Sequence, residues 1–276
     1  MATSLQHSST QHINSPATEL RLLYALFEEA QGTRIAHGER IRALLQGRSS
    51  GAAGALPFLQ RAYERAIREE EDASADLETV VARHPAWVWL QSIKGIGHRL
   101  AARLLSRLDI SRADTPSSFW AYCGLATVPG AAFRCHRCGL DVAYPLGYAP
   151  RETHLSRSGL RTCSGELRLV VESNPVRVAP RRTSAGGRRT YDAHARKSCY
   201  LIGVSLLRCG SDYREHYDAE RARVAATRPG WTPKRCHLAS LRKMEKMFLR
   251  DLWIAWRRAE NLSIVPPYFP RATEPC

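Results

Sequence analysis

The chain of 276 residues has few lysines, no long hydrophobic run and no apolar leader. Residues 1–15 are polar and rich in Ser, Thr and His, whereas a secretory signal needs a basic start and an apolar core. The most apolar stretch, at 200–207, is far shorter than the ~18 residues of a membrane span. These absences predict a cytoplasmic protein that does not cross a membrane.

Composition predicts a folded globular protein with reduced cysteines. Hydrophobic residues make up 44% of the sequence and charged residues 24%, which is an ordinary mixture. The length allows one large domain or two to three small ones, and a core that needs no disulfide. Of the 8 cysteines, only Cys135 and Cys138 form a tight pair. Without a signal sequence, this spacing favours a metal site over a disulfide framework.

The chain is short of acidic residues: 26 against 41 basic ones, for a net charge of +15. Only 5 of the 41 are Lys, so codon bias in a GC-rich genome is one explanation. However, residues 1–84 carry 9 basic and 11 acidic residues, whereas residues 85–276 carry 32 and 15. Codon bias acts on a whole gene. The segregation therefore predicts a polyanion-binding surface in the second part, with nucleic acid as the leading partner.

The near-neutral first part predicts two helices joined by a short turn. Pro16 is a typical first residue of a helix, and Gly32 is an expected interruption of that helix. The second helix begins near Pro57, and its apolar positions follow a heptad with one charged member, Glu70. Residues 17–84 are therefore predicted to form a helical hairpin or coiled coil. Two interpretations stay open: an arm for homodimerisation, and a hairpin packed on its own domain.

Residues 85–130 contain a pattern typical of helix-hairpin-helix motifs. A short helix at 86–92 precedes the turn Ile-Lys-Gly-Ile-Gly and a second helix. Glycines permit a tight turn, and the N–H groups at the following helix start can bind a DNA phosphate. Arg99, Arg103 and Arg107 recur every four residues and place cations on one face. A plain helix–helix turn is the alternative. The predicted DNA contacts here are Lys94, Gly95, Gly97, His98, Arg99 and Arg103.

A Cys-His-Arg-Cys-Gly knuckle at 135–139 can bind Zn²⁺ through two thiolates. The segment 131–180 is rich in Gly, Pro, Tyr and Val, which predicts short strands and a zinc-ribbon-like insertion. A redox dithiol is the rival, but the pair does not open a helix in a βαβ unit. The predicted ligands of structural zinc are Cys135, Cys138, Cys163 and His154. The alternatives for the fourth position are His136 and Cys199.

Residues 181–262 predict a set of basic helices. Four arginines frame a glycine turn at the start of this segment, and such a loop can cradle phosphates; a flexible solvated loop is the alternative. Helices are expected at 192–208, 211–227 and 233–260. Residues 1–16 and 263–276 are expected to be tails. The arginines predicted to contact DNA are Arg181, Arg182, Arg188 and Arg189.

Several segments, in this order, resemble the C-terminal domain of insertion-sequence 110/116/902 family transposases. Leu-Gln-Ser-Ile-Lys-Gly-Ile-Gly at 90–97 is similar to the start of that domain, and Ser-Ser-Phe-Trp-Ala-Tyr-Cys-Gly-Leu at 117–125 to its next helix. Thr-Ser-Ala-Gly-Gly-Arg at 183–188 resembles its Ser-Gly-Gly-basic loop. The segments that resemble its later helices are 195–208 and 233–253. The resemblance covers about residues 57–260 apart from the zinc segment.

The resemblance implies a role in DNA transposition or recombination, because family members cut and rejoin DNA. It implies Ser184 as the serine nucleophile, with Thr183 as the alternative. It also implies an acidic ribonuclease-H-like domain and, in some members, a structured guide RNA. This sequence departs from that pattern, since no acidic domain precedes the helices and the zinc segment is inserted before Ser184. We therefore expect Mg²⁺ only if a partner supplies the acidic domain.

Taken together, these patterns predict a mainly α protein with an N-terminal helical hairpin, a helix-hairpin-helix domain and a small β insertion. The expected function is DNA binding in transposition or recombination without autonomous catalysis, in the nucleoid of a prokaryotic cell. Two alternatives stay open. One is a stand-alone recombinase that uses Ser184, and the other is a nucleic-acid-binding module outside transposition.

Overall fold

The computed structural model describes residues 16–48, 53–146, 152–170, 176–180 and 190–265. The protein is mainly α-helical, with 62% helix and a small antiparallel sheet region, which confirms the predicted fold class. Within the described residues, no helix is both long and apolar enough to cross a membrane. The predicted tails fall almost entirely outside the described residues.

Eight α-helices and six strands account for the regular structure of the described residues. The helices are α1 Pro16–Leu45, α2 Leu56–Ala82, α3 Trp87–Ser92, α4 His98–Leu105, α5 Pro116–Tyr122, α6 Ala193–Cys209, α7 Tyr213–Thr227 and α8 Pro233–Ala259. The strands are β1 Val128–Cys135, β2 Asp141–Pro145, β3 His154–Leu155, β4 Thr162–Cys163, β5 Leu167–Leu169 and β6 Val176–Val178.

Helices α1 and α2 form an antiparallel hairpin, as the sequence predicted. The expected interruption at Gly32 is wrong, because α1 continues through it. An isolated Gly costs a helix only ~1 kcal/mol, which the packing of α1 on α2 outweighs. At Gly38 the two helices are in contact, since a Cβ at this position would lie 3.4 Å from the ring of Tyr63, an ordinary van der Waals distance.

The charged member of the α2 heptad is buried in this hairpin. Glu70 is 6% exposed and accepts hydrogen bonds from Arg34 and Gln31 of α1. Arg99 of α4 lies 3.9 Å from the same carboxylate. Burial alone would raise the pKa of Glu70, but these hydrogen bonds and charges outweigh it and hold the pKa below its ordinary value. Glu70, the one charged residue among the apolar heptad positions, therefore links α2 to α1 and α4.

The main core surrounds α8. Its buried side chains include Phe248, Leu252 and Trp253, which lie in one cluster with residues from α1 to α7. The indole nitrogen of Trp253 donates to the carbonyl of Ala113 at 2.7 Å, so this buried donor is satisfied. The spacing of Leu238, Leu241, Met244, Phe248, Leu252 and Ala255 predicts the core face of α8, and four of these six side chains are buried. They are Leu241, Met244, Phe248 and Leu252.

Capping side chains fix the starts of the C-terminal helices close to the predicted positions. The Asp192 carboxylate accepts from the N–H of Ala195 at 2.6 Å at the start of α6. The Thr232 hydroxyl accepts from the N–H of Arg235 at 3.3 Å, and Pro233 opens α8. Gly210, with φ of 61°, ends α6 in the left-handed conformation that glycine adopts without strain.

A small β module separates α5 from α6. The long strand β1 pairs antiparallel with β2 on one side and with β5 and β6 in succession on the other. A second ribbon is formed by β3 and β4, in which His154 lies opposite Cys163. The predicted strands in the inserted segment are therefore present, and two candidate metal ligands form a cross-strand pair.

Candidate functional site

The turn between α3 and α4 contains a glycine at a position where any other residue would be strained. Gly95 has φ of 97°, and a Cβ there would lie 3.0 Å from the Cβ of Cys209. The Ser205 hydroxyl donates to the Gly95 carbonyl at 2.7 Å. The turn is therefore fixed against α6, and its outer side is left to Lys94 and Gly97, both of which are exposed.

Gly97 precedes α4 and leaves the start of this helix open. Its φ of −98° and ψ of 173° are ordinary extended values, and nothing lies within 4 Å of a Cβ added there. No side chain caps α4 at Gly97, so the first N–H groups of the helix keep no capping partner among the described residues. Such a start attracts anions, because the free N–H groups and the helix dipole point the same way.

Two of the three arginines of the predicted basic row, Arg99 and Arg103, contact the α1–α2 hairpin. Arg103 has a side chain only 15% exposed, donates to the Tyr24 hydroxyl at 2.7 Å and lies 3.3 Å from the Glu28 carboxylate. Arg99 donates to the Ser74 hydroxyl at 3.0 Å and lies over the ring of Phe27. These arginines therefore hold α4 to the hairpin.

His98, at the start of α4, is also engaged within the chain. Its Nε2 lies 3.0 Å from the Ser74 hydroxyl, and its Nδ1 lies 3.8 Å from the Glu78 carboxylate. The prediction that His98, Arg99 and Arg103 contact DNA remains a prediction, and the geometry favours the turn itself over these side chains.

The predictions for the arginine-framed glycine loop fall on residues that the structure does not describe. Residues 181–189 lie outside the described residues, and the nucleophile candidate Ser184 is among them. So are the four predicted DNA-contacting arginines, which are Arg181, Arg182, Arg188 and Arg189.

Four side chains of the β module converge on one point. Cys135 and Cys138 come from the turn between β1 and β2, and His154 and Cys163 come from the cross-strand pair of β3 and β4. Their ligand atoms all lie within 4.8 Å of one another. This Cys₃His cluster contains the four residues that the sequence selected, and it could hold a metal ion.

Distances inside the cluster agree with a tetrahedral site. Cys135 Sγ lies 3.8 Å from Cys163 Sγ, and Cys138 Sγ lies 3.4 Å from His154 Nε2. A tetrahedron with Zn–S bonds of ~2.3 Å has edges of about 3.8 Å between sulfurs. Nδ1 of His154 is buried and has no hydrogen-bond partner in the described residues. The donor set is thus that of a soft or borderline metal ion.

Backbone N–H groups stabilise thiolates in this cluster. The N–H of Cys138 donates to Cys135 Sγ at 3.4 Å, and that of Gly165 donates to Cys163 Sγ at 3.3 Å. Burial opposes ionisation of Cys135, but N–H groups and neighbouring thiols outweigh it and lower the pKa to about 6. A Cβ on Gly165 would lie 2.7 Å from Cys135 Sγ, so glycine is required for this close approach.

The alternatives for the fourth ligand lie elsewhere. His136 is exposed, and its Nδ1 lies 3.2 Å from the carbonyl of Glu166. Cys199 is buried in α6 beside Cys123, and burial together with that neighbouring thiol raises its pKa. Neither belongs to the cluster, so the structure selects His154 among the candidates.

The interactions of two charged residues of α8, the half-buried Arg242 and the buried Glu245, were not anticipated. Arg242 donates to the carbonyls of Gly124 and Leu125, and its burial lowers its pKa to about 10. Glu245 is 6% exposed, and burial raises its pKa to about 7. In the sequence these two residues are only charges near the apolar stripe of a helix. Charges at such positions are equally typical of a solvated helix face, so they do not predict burial.

The candidate functional features are therefore the basic α3–α4 segment and a Cys–His cluster in the β module that could hold a metal ion. The family model described as Transposase IS116/IS110/IS902 family matches residues 89–131. This match begins in α3, spans α4 and α5 and ends in β1. It confirms the predicted resemblance over these residues, and for the other segments the resemblance remains a prediction. The chain matches no curated protein.

Proposed function

We propose that this chain is a DNA-binding protein that acts in transposition or recombination and contacts the phosphate backbone through the α3–α4 turn. The observation that carries the proposal is the coincidence of two features. The matched transposase segment, 89–131, contains this turn, and the turn presents an uncapped helix start beside exposed Lys94. A helix start that can bind a phosphate, with a cation next to it, suits contact with the DNA backbone without readout of the bases.

The distribution of charge supports the same role. Residues 85–276 carry 32 basic and 15 acidic residues, so the part of the chain that contains the turn is strongly positive. A positive surface of this kind binds DNA by releasing counterions, which makes the affinity depend steeply on salt. Such a role would place the chain in the nucleoid of a prokaryotic cell.

The Cys₃His cluster is proposed as a structural zinc site. Four protein ligands complete a tetrahedral shell, and structural zinc sites have closed shells of this type. Cys135, Cys138, His154 and Cys163 would hold the ion, and the ion would fix two short β ribbons that bury little apolar surface of their own.

The proposed partners beyond DNA are a second copy of the chain and, by resemblance, a guide RNA. The α1–α2 hairpin exposes large apolar side chains, including Leu22 and Leu26 one turn apart on α1. Packing of two hairpins would cover them. The molar mass of the full chain in solution, measured by light scattering, should then be that of a dimer, and Leu22→Lys with Leu26→Lys should reduce it to that of a monomer.

Binding and cleavage can be separated in one experiment. The full chain is incubated with supercoiled, linear and branched DNA in Mg²⁺, and both retention and strand breaks are measured. Salt-sensitive binding without strand breaks is the expected result. Strand cleavage that disappears in Ser184→Ala would replace the binding role by that of a recombinase. Absence of binding to every DNA would contradict the proposal.

A further inference from the structure

The corner between α7 and α8 contains a cavity of about 430 Å³ that the proposed role of the α3–α4 turn does not use. Small-ligand pockets span roughly 300–1,000 Å³, so the volume suffices for one planar group. Buried Val224 and half-buried Ala239 provide an apolar floor. The lining residues are Glu220, Arg223, Val224, Thr227, Arg228, Trp231 and Ala239.

An indole ring forms one wall of this cavity. Trp231 is half-buried, and its backbone N–H donates to the carbonyl of Arg228, which fixes the turn between the helices. The Arg235 guanidinium lies 4.1 Å from the ring centroid, and that of Arg228 lies 5.9 Å from it. Tryptophan at a polar, arginine-rich turn is unusual for a core residue and typical of a stacking platform.

The rim of the cavity carries positive charge and one hydrogen-bond acceptor, the Glu220 carboxylate, which Arg223 holds in place. Arg228 and Arg235 are both exposed beside Trp231. Arg223 makes two hydrogen bonds to Glu220, at 2.7 and 2.8 Å, and these hold the pKa of Glu220 below its ordinary value. A ligand that suits this arrangement has a flat aromatic group, a donor at its edge and a negative charge next to the ring.

We propose that the α7–α8 corner binds an unpaired nucleobase, stacked on Trp231, with its neighbouring phosphate held by the arginines of the rim. The inference rests on the proposed DNA-binding role and adds a preference for strand-separated over fully paired DNA. Bases in a duplex are already stacked on both faces, so only an unpaired base can lie on the indole. The Glu220 carboxylate is placed to accept from an amino group at the base edge.

The test compares a DNA duplex with the same duplex carrying a short single-stranded gap. Affinities of the full chain for both are measured by fluorescence anisotropy. The gapped DNA should bind more tightly, and Trp231→Ala should weaken its binding by roughly 5- to 150-fold while duplex binding changes little. Trp231→Phe, which keeps a stacking ring, should restore most of the loss.

Phe58→Ala is the matched control, because Phe58 is an exposed aromatic residue with Arg61 lying 4.8 Å from its ring centroid, far from the α7–α8 corner. It should change neither affinity, and melting curves check that Trp231→Ala remains folded. Competition by RNA and DNA single strands of the same sequence shows whether the bound nucleotide contains ribose or deoxyribose. If wild type binds duplex and gapped DNA equally, or Trp231→Ala equals wild type, this inference fails while the proposed function stands. If wild type binds neither DNA, both fail.

Discussion

At the scale of single residues, Gly95 and Gly97 show how two glycines in one motif meet different demands. Gly95 has a positive φ and close contacts with α6, whereas Gly97 has ordinary backbone angles and open space around it. The sequence pattern treats both as turn glycines. The structure assigns the conformational requirement to Gly95 and leaves Gly97 as an open helix start, where a small residue permits close approach of a ligand.

Alanine substitutions separate these two demands. Gly95→Ala should lower the free energy of unfolding by about 2 kcal/mol or more, because the new Cβ meets Cys209 and the backbone angles become strained. Gly97→Ala, the matched control, should cost about 1 kcal/mol or less, because it loses only a favourable N-cap residue. Denaturant titrations measure both, and equal losses would contradict the geometry of the turn.

Glu70 carries a pH-dependent contribution to stability. Its pKa is lowered in the folded chain, so the carboxylate stabilises the fold above its ordinary pKa of 4.5 and loses this effect as the pH falls through the lower folded value. Glu70→Gln should therefore reduce the free energy of unfolding by about 1–2 kcal/mol near neutral pH. The difference from wild type should disappear in acid.

Glu69→Gln is the control for this measurement, since Glu69 is exposed on the same helix. Its effect should stay within about 0.5 kcal/mol at every pH. A Glu70→Gln chain that unfolds like wild type near neutral pH would show that the hydrogen bonds from Arg34 and Gln31 add nothing to stability.

At the scale of elements, we expect the β module to depend on a metal ion held by its Cys₃His cluster, whereas the helices have a core that includes none of these four residues. Purified chain should contain one zinc ion, and Cys163→Ser should abolish its retention. Chelation should lower the melting temperature and loosen the β module while the far-UV helical signal persists. Cys209→Ser, outside the cluster on α6, should keep the ion. Zinc-free chain with an unchanged melting temperature would rule out a structural role.

Local patterns were enough to predict most of the helices and the Cys–His cluster, although not the continuity of α1 through Gly32. The expected starts of α6 and α8, at 192 and 233, lie within one residue of the observed starts. Asp192 and Thr232 cap these helices, and such capping interactions act within three residues of sequence. Knuckle spacing and donor chemistry likewise selected the four members of the Cys–His cluster, with His154 chosen over His136 and Cys199. Helix capping joins residues that are close in sequence, and a metal-binding cluster uses only a few residue types. Both are therefore visible in the sequence.

The partners of the charged residues could not be predicted in this way. Arg103 binds Tyr24, which lies 79 positions earlier, and Arg99 reaches Ser74 on another helix. A helical row of arginines looks the same in sequence whether it faces DNA or a neighbouring helix. Only the tertiary arrangement of α1, α2 and α4 decides between them, and here it brings the row against the hairpin.

At the scale of the whole molecule, charge and architecture divide the chain at about the same place. The near-neutral part is the α1–α2 hairpin, which precedes the matched transposase segment, and the basic excess lies in the part that contains the turn, the β module and α6 to α8. The proposed roles follow this division, with self-association assigned to the hairpin and nucleic-acid binding assigned to the basic part.

The salt dependence of DNA affinity tests the central claim most directly. Duplex binding by wild type, Lys94→Ala and Arg65→Ala is measured over a range of salt concentrations; Arg65 is an exposed cation of α2 and controls for the loss of one charge. Lys94→Ala should weaken binding and reduce the slope of log affinity against log salt by about 1, while Arg65→Ala leaves the slope unchanged. Equal slopes for Lys94→Ala and wild type would contradict a phosphate contact at the α3–α4 turn.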